Sequence, residues 1–204
     1  MEINMKIGLI GFGFMGKTHA WCVDNLKYFY KDLPFDAEIV GVTTAHAESA
    51  EKAARLIGCK ATDEDSLIND PSVDIIDICT PNIYHYETLK KAISAGKHIY
   101  CEKPLCVSYE QASEIEMLAK EKEITAQIVF NNRFLPAVMR AKQLIDEGRL
   151  GRILSFRCEY LHASATDPDK NAGWKQNRDI CGAGTLFDLG SHAVDMIYHL
   201  CGDI

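Results

Sequence analysis

Short apolar runs rich in Ile and Val alternate with helix-patterned segments from residue 5 to about residue 132. That alternation constrains the fold more than any other feature of the chain. The runs are "KIGLIG" (6–11), "AEIVGVTT" (37–44), a short one at 60–62, "DIIDICT" (74–80), "KHIYCEKP" (97–104) and "TAQIVFNNR" (125–133). They are apolar on both faces, as strands are when helices cover a parallel sheet on each side. Helices are expected near 14–30, 47–57, 82–96 and 108–123. Gly58 and Gly96 are placed to end two of them and Ser108 to begin the last. The stretch "DEDSLINDPSV" (63–73) reads as a polar connection. Strand–helix alternation with right-handed crossovers predicts a doubly wound parallel α/β domain over residues 1–132.

The pattern changes after Phe134. "PAVMRAKQLIDEGRLG" (136–151) is an amphipathic helix, and "RILSFRCEYLHASA" (152–165) reads as one long strand. A polar loop from Pro168 to Gly184 precedes the helical "TLFDLGSHAVDMIYHLCG" (185–202). Residues 133–204 are therefore expected to form a partial α+β second domain. It has too few strands to close a sheet, and the chain is expected to be a truncation.

Composition narrows the partners. A net charge of −7 with no block of like charge disfavours nucleic acid or an anionic membrane surface. No apolar run is long enough to span a bilayer, and the N-terminus lacks a signal-peptide pattern. Eight cysteines occur without any C-x-x-C pair, which argues against a zinc ribbon. Cys79, Cys101, Cys106 and Cys158 fall in or beside apolar strand-like runs, so free thiols in a reducing cytoplasm are expected.

The first strand runs into G-x-G-x-x-G: Gly11, Phe12, Gly13, Phe14, Met15, Gly16. After a strand and before a helix, this spacing points to a dinucleotide. The first glycine permits the turn, the second the approach of a pyrophosphate, and the third the packing of helix on strand. An acid that would accept from the adenosine ribose is missing at the end of the second strand. Thr43 and Thr44 stand there instead. Thr44 and His46 can donate to a 2′-phosphate, with Lys52 or Arg55 adding charge. NAD and NADP both stay open, with the residues tilting toward NADP.

Two further stretches follow strand ends, "CTPNIYHYE" and "CEKPL", where parallel sheets bind ligands. Lys103 there can hydrogen-bond a reacting oxygen, or it can be a surface residue. On a regular helix Asp188, His192, Asp195 and His199 share one stripe. That stripe can be a solvated face, a metal site or an acid–base pair. Trp174, Lys175, Arg178 and Arg133 are further residues that can reach a ligand or serve packing alone.

Taken in order, the glycine loop, "TPN" with His85, "EKP" at 102–104, "NNRF" at 131–134 and "GAGTLFDLGSHAVD" at 182–195 resemble the glucose–fructose oxidoreductase and inositol dehydrogenase (Gfo/Idh/MocA) family. The resemblance covers nearly the whole chain. It implies an N-terminal Rossmann domain and a nicotinamide-dependent dehydrogenase acting on a sugar, inositol or related polyol, homo-oligomeric at full length. Lys103, Asp188 and His192 match the family's catalytic positions. Thr80, Asn82, His85 and Glu102 match its cofactor-side positions, and no metal is implied. Asp195 and His199 are read as structural. Two other readings stay open: a non-catalytic NAD(P)-binding sensor, and a carbon–nitrogen or biliverdin-type reductase.

Overall fold

A computed structural model of the chain describes residues 3–163, 166, 167, 169, 171 and 173–202. Ser164, Ala165 and Pro168, which the expected strand and loop include, lie outside them. The chain divides into two compact units between Ile128 and Val129, a few residues before the division read from the sequence.

The first unit is built on a sheet of β1 (Ile3–Ile10), β2 (Phe35–Thr43), β3 (Lys60–Ala61), β4 (Ile75–Ile78), β5 (His98–Glu102) and β6 (Ala126–Val129). Their order is β3-β2-β1-β4-β5-β6, and β1 pairs in parallel with both β2 and β4. This is the doubly wound arrangement. Its strand order reverses at β1/β4, where such sheets bind ligands beyond the strand ends. The helices are α1 (Phe14–Phe29), α2 (Ala47–Ile57), α3 (Glu64–Asn69), α4 (His85–Ser94) and α5 (Tyr109–Glu121). Neighbouring residues of β1 serve opposite faces, as a two-residue period requires. Leu9 packs with Val42, Ala53 and Ala54, while Ile10 joins Ile68, Ile76, Ile78 and Leu89.

Helix α3 lies in the stretch read as a polar connection. Asp63 begins it: its carboxylate accepts the Ser66 N–H at 2.8 Å and the Ser66 hydroxyl at 2.6 Å. The helix delivers Leu67 onto the sheet where Gly8 and Gly41 face each other in register. A Cβ on Gly8 would lie 2.8 Å from Leu67 Cγ, and one on Gly41 2.6 Å from its Cδ1. Two glycines thus open the hollow that one leucine fills.

The second unit holds α6 (Pro136–Asp146), α7 (Arg178–Cys181) and α8 (Ser191–Cys201). The long strand expected from residue 152 is not found. The described residues of that segment form no sheet ladder, and Cys158, expected in an apolar setting, is exposed. A strand needs a hydrogen-bonding neighbour, which side-chain pattern alone does not supply. Among the described residues no helix is long and apolar enough to cross a membrane.

Leu67→Ala empties the hollow above Gly8 and Gly41. It is expected to lower stability by about 2–5 kcal/mol, measured by urea unfolding with an unchanged m-value.

Candidate active site

The glycine loop closes on the end of β4. Gly11 donates its N–H to Thr43 O at 2.9 Å, and Cys79 donates to Ile10 O at 2.8 Å. Gly11 has φ +96°, and a Cβ there would meet the Cys79 carbonyl oxygen at 2.6 Å. A Cβ on Gly16 would sit 2.2 Å from Gly11 O. Both positions exclude a side chain. Gly13 is different: a Cβ there meets nothing within 4 Å. The space beside it is open, and no side chain caps the α1 N-terminus it begins. Nearby, Thr80 Oγ1 is buried with no hydrogen-bond partner among the described residues. An open glycine, an uncapped helix start and an orphaned hydroxyl fit the pyrophosphate and nicotinamide portions of a dinucleotide. Phe12 faces the apolar cluster around Leu9, while Phe14 is exposed.

At the end of β2 the expected phosphate donors are occupied. Thr44 Oγ1 donates to His46 O at 2.9 Å. Lys52 pairs with Glu48 at 2.6 Å, and Arg55 with Glu51 at 3.8 Å. Of the residues that tilted the sequence toward NADP, Thr44, Lys52 and Arg55 have these partners, while His46 takes part through its backbone carbonyl.

His85 is fully buried. Its Nδ1 lies 2.8 Å from Pro104 O and its Nε2 2.9 Å from Thr80 O. The ring ties the loop after β4 to the loop after β5. Asn82 is buried in the 3₁₀ turn between β4 and α4. Lys103 follows β5 directly, and its N–H donates to Glu102 Oε2 at 3.2 Å.

Beneath the loop lies a cluster that reading the sequence missed. His19, on α1, places Nδ1 3.0 Å from both Asp77 oxygens and Nε2 3.2 Å from Glu102 Oε1. Cys79 Sγ is 3.2 Å from the same Nδ1, and the Tyr100 ring is 5.3 Å away. Burial opposes charge on His19. The hydrogen bonds to Asp77, Cys79 and Glu102 and the Asp77 charge outweigh it, raising the imidazole to about 12. Burial likewise pushes the Asp77 carboxyl up, against the pull of His19. His19, Asp77 and Cys79 also bring three metal-ligating atoms together. Burial raises the Cys79 thiol to about 12, and its Sγ lies 3.5 Å from Asp77 Oδ1. The overlooked signal was Asp77 itself, a carboxylate in the middle of an apolar strand, which must have a partner.

In the second unit a π-helical turn, Leu186–Gly190, precedes α8. The stripe expected on one regular helix is therefore broken between Asp188 and His192. Asp188 accepts from Lys175 Nζ at 2.8 Å. Lys175 also lies over the Trp174 ring. His192 stands edge-on to Phe130 and Tyr160, with ring centroids 6.0 and 5.9 Å away. Arg133 is bound through Nε and Nη2 to buried Asp195, with Nε 2.8 Å from Oδ2. It joins its 3₁₀ turn to α8.

Unfolded His19 titrates near 6.5 and folded His19 near 12, so the folded state keeps a proton that the unfolded state has lost. Its stabilisation is complete below pH 6.5 and is lost as pH rises toward 12. Urea unfolding between about pH 7.5 and 9 is expected to show stability falling with pH, and His19→Gln to flatten that slope.

The model of an oxidoreductase family with an NAD-binding Rossmann fold, Gfo/Idh/MocA, matches residues 5–130, and the model of its C-terminal domain matches 138–204. The chain is 40% identical over 202 residues to levoglucosan dehydrogenase of Pseudarthrobacter phenanthrenivorans, covering 98% of this chain and 52% of that protein. It is 32% identical over 195 residues to glucose-6-phosphate 3-dehydrogenase of Bacillus subtilis, covering 96% and 53%. A solved levoglucosan dehydrogenase in complex with NADH and levoglucosan superposes with a TM-score of 0.95 at 40% identity, covering 98% of this chain and 54% of that one. The chain spans about half the length of these relatives. With both of its halves matched in order, and with the glycine cradle and its strand order in place, the chain belongs to the Gfo/Idh/MocA oxidoreductase family.

Proposed function

We propose that the full-length protein is a nicotinamide-dependent dehydrogenase that oxidises a ring hydroxyl of a sugar or related polyol. The cradle of Gly11, Gly13 and Gly16 beside the buried Thr80 hydroxyl carries this assignment. The bound nicotinamide supplies a two-electron acceptor for the hydride leaving the carbinol carbon. His192 takes the hydroxyl proton as the carbonyl forms, and Phe130 and Tyr160 limit the tilt of its ring. Asp188 orients the imidazole or holds a substrate hydroxyl, steadied by Lys175. The Lys103 ammonium hydrogen-bonds the reacting oxygen and stabilises the charge that develops there. The relatives' names, levoglucosan dehydrogenase and glucose-6-phosphate 3-dehydrogenase, supply the first substrates to try.

NAD is the expected cofactor. A 2′-phosphate at the β2 end meets no unpaired cation among Lys52 and Arg55, and the Thr44 hydroxyl already donates to His46. Eight free thiols suit a reducing compartment, so the cytoplasm is the proposed location.

The test is nicotinamide reduction at 340 nm by the full-length protein across a panel of pyranoses, anhydrosugars and inositols. Reduction by none of them, with NADH still bound, overturns the assignment in favour of a nucleotide sensor. Lys103→Ala and His192→Ala are each expected to lower kcat by about 100-fold or more, with NADH affinity by fluorescence nearly unchanged. The kcat/KM for NAD is expected to exceed that for NADP by about tenfold, or 1.4 kcal/mol.

A further inference from the structure

Three elements meet at His19. Helix α1 starts in the glycine loop, with Gly13 as its N-cap, and carries His19 in its second turn. Strand β4 carries Asp77, paired with Leu9 of β1 on one side and Tyr100 of β5 on the other. Strand β5 ends at Glu102, one residue before Lys103. The imidazole is buried between the two carboxylates, Nδ1 on Asp77 and Nε2 on Glu102. The other Glu102 oxygen accepts the Lys103 N–H. A continuous polar chain therefore runs from the cofactor-loop helix through His19 and Glu102 to the backbone of Lys103.

We propose that His19 is a positioning residue: by holding Asp77 at one ring nitrogen and Glu102 at the other it fixes the Lys103 backbone relative to the glycine loop, and so sets the distance between lysine and nicotinamide. The role rests on Lys103 being the catalytic lysine. A doubly protonated ring suits the site: Nδ1 hydrogen-bonds Asp77, and Nε2 makes an ion-pair contact with Glu102 Oε1 at 3.2 Å. A neutral amide cannot replace it. Glutamine donates through one nitrogen and turns its oxygen toward a carboxylate. An unclamped Glu102 releases the Lys103 backbone, and displacements of about 1 Å at a reacting group cost on the order of 100-fold in rate.

A second consequence separates positioning from simple folding. With the imidazolium in place, Asp77 and Glu102 share a cation across the neutral range. Without it, buried Asp77 keeps its desolvation and the nearby Glu102 charge but loses its cation, which favours its protonated form further. The facing groups are Cys79, whose thiol stays neutral, and the Tyr100 phenol, which burial raises to about 12, so neither supplies a charge in that range.

The experiment uses the full-length protein, with rates normalised to the NADH-binding fraction. His19→Gln is expected to lower kcat by about 10- to 100-fold, to leave the polyol KM and NADH Kd within about threefold, and to add an ionisation to the kcat–pH profile between about pH 5 and 8. Glu102→Gln keeps the His19–Asp77 pair. It is expected to fold if His19→Gln does not, and to lower kcat without adding that ionisation. Wild-type kcat in either variant, or an unaltered pH profile in a folded His19→Gln protein, overturns the positioning role. Full turnover by Lys103→Ala instead overturns the catalytic assignment of the lysine, whatever the His19 variants do.

Discussion

The closeness of three backbone segments at the β1/β4 junction is the constraint on which the first unit depends. The turn at Gly11 lies against the Cys79 carbonyl, and the first turn of α1 lies against Gly11 itself. Neither approach leaves room for a side-chain carbon. Once these contacts form, the direction of α1 is fixed, its N-terminus opens past the strand ends, and His19 is delivered over Asp77. The cradle and the buried charge cluster are thus consequences of one packing event. Both lie where the strand order turns back.

The buried cluster is a costly arrangement. One imidazolium and two carboxylates have left water, and their attraction repays that desolvation only with good hydrogen-bond geometry. Here Nδ1 meets both Asp77 oxygens and one Glu102 oxygen accepts a backbone N–H, while Nε2 holds Glu102 Oε1 only as an ion-pair contact at 3.2 Å. An apolar trio would fill the same space at less risk to stability. Buried charge at this place joins the segment that cradles a cofactor to the segment that ends in a lysine.

How much could be read from residues alone varied with the kind of information involved. The alternation of β-branched runs and helical stretches is a local property, so the parallel sheet and the glycine loop were legible. Helix α3 escaped because it is short and polar on its outer face. Its start depends on one Asp63–Ser66 cap, and its purpose on two glycines far away in sequence. The strand expected beyond residue 152 had the right side-chain pattern, but a ladder belongs to two strands. His85 was legible as a site residue by resemblance, yet its contacts are with two carbonyls that only the fold brings together. His19 lay three residues past Gly16 in plain view. What it touches depends on Asp77 and Glu102, 58 and 83 positions further along.

The π-helical turn at Leu186–Gly190 carries an evolutionary implication. Such a turn closes its hydrogen bonds from i to i+5 instead of i to i+4, so it holds one residue more than an α-helical turn. Everything before it is rotated against everything after it by roughly the angle of a single residue, ~100°. Asp188 sits inside the wider turn and His192 just beyond it. Loss of one residue there would leave a smooth helix with intact hydrogen bonds and the acid swung round its axis. The bearing of the carboxylate relative to the imidazole can therefore be reset by a single-codon insertion or deletion, with no change to either residue.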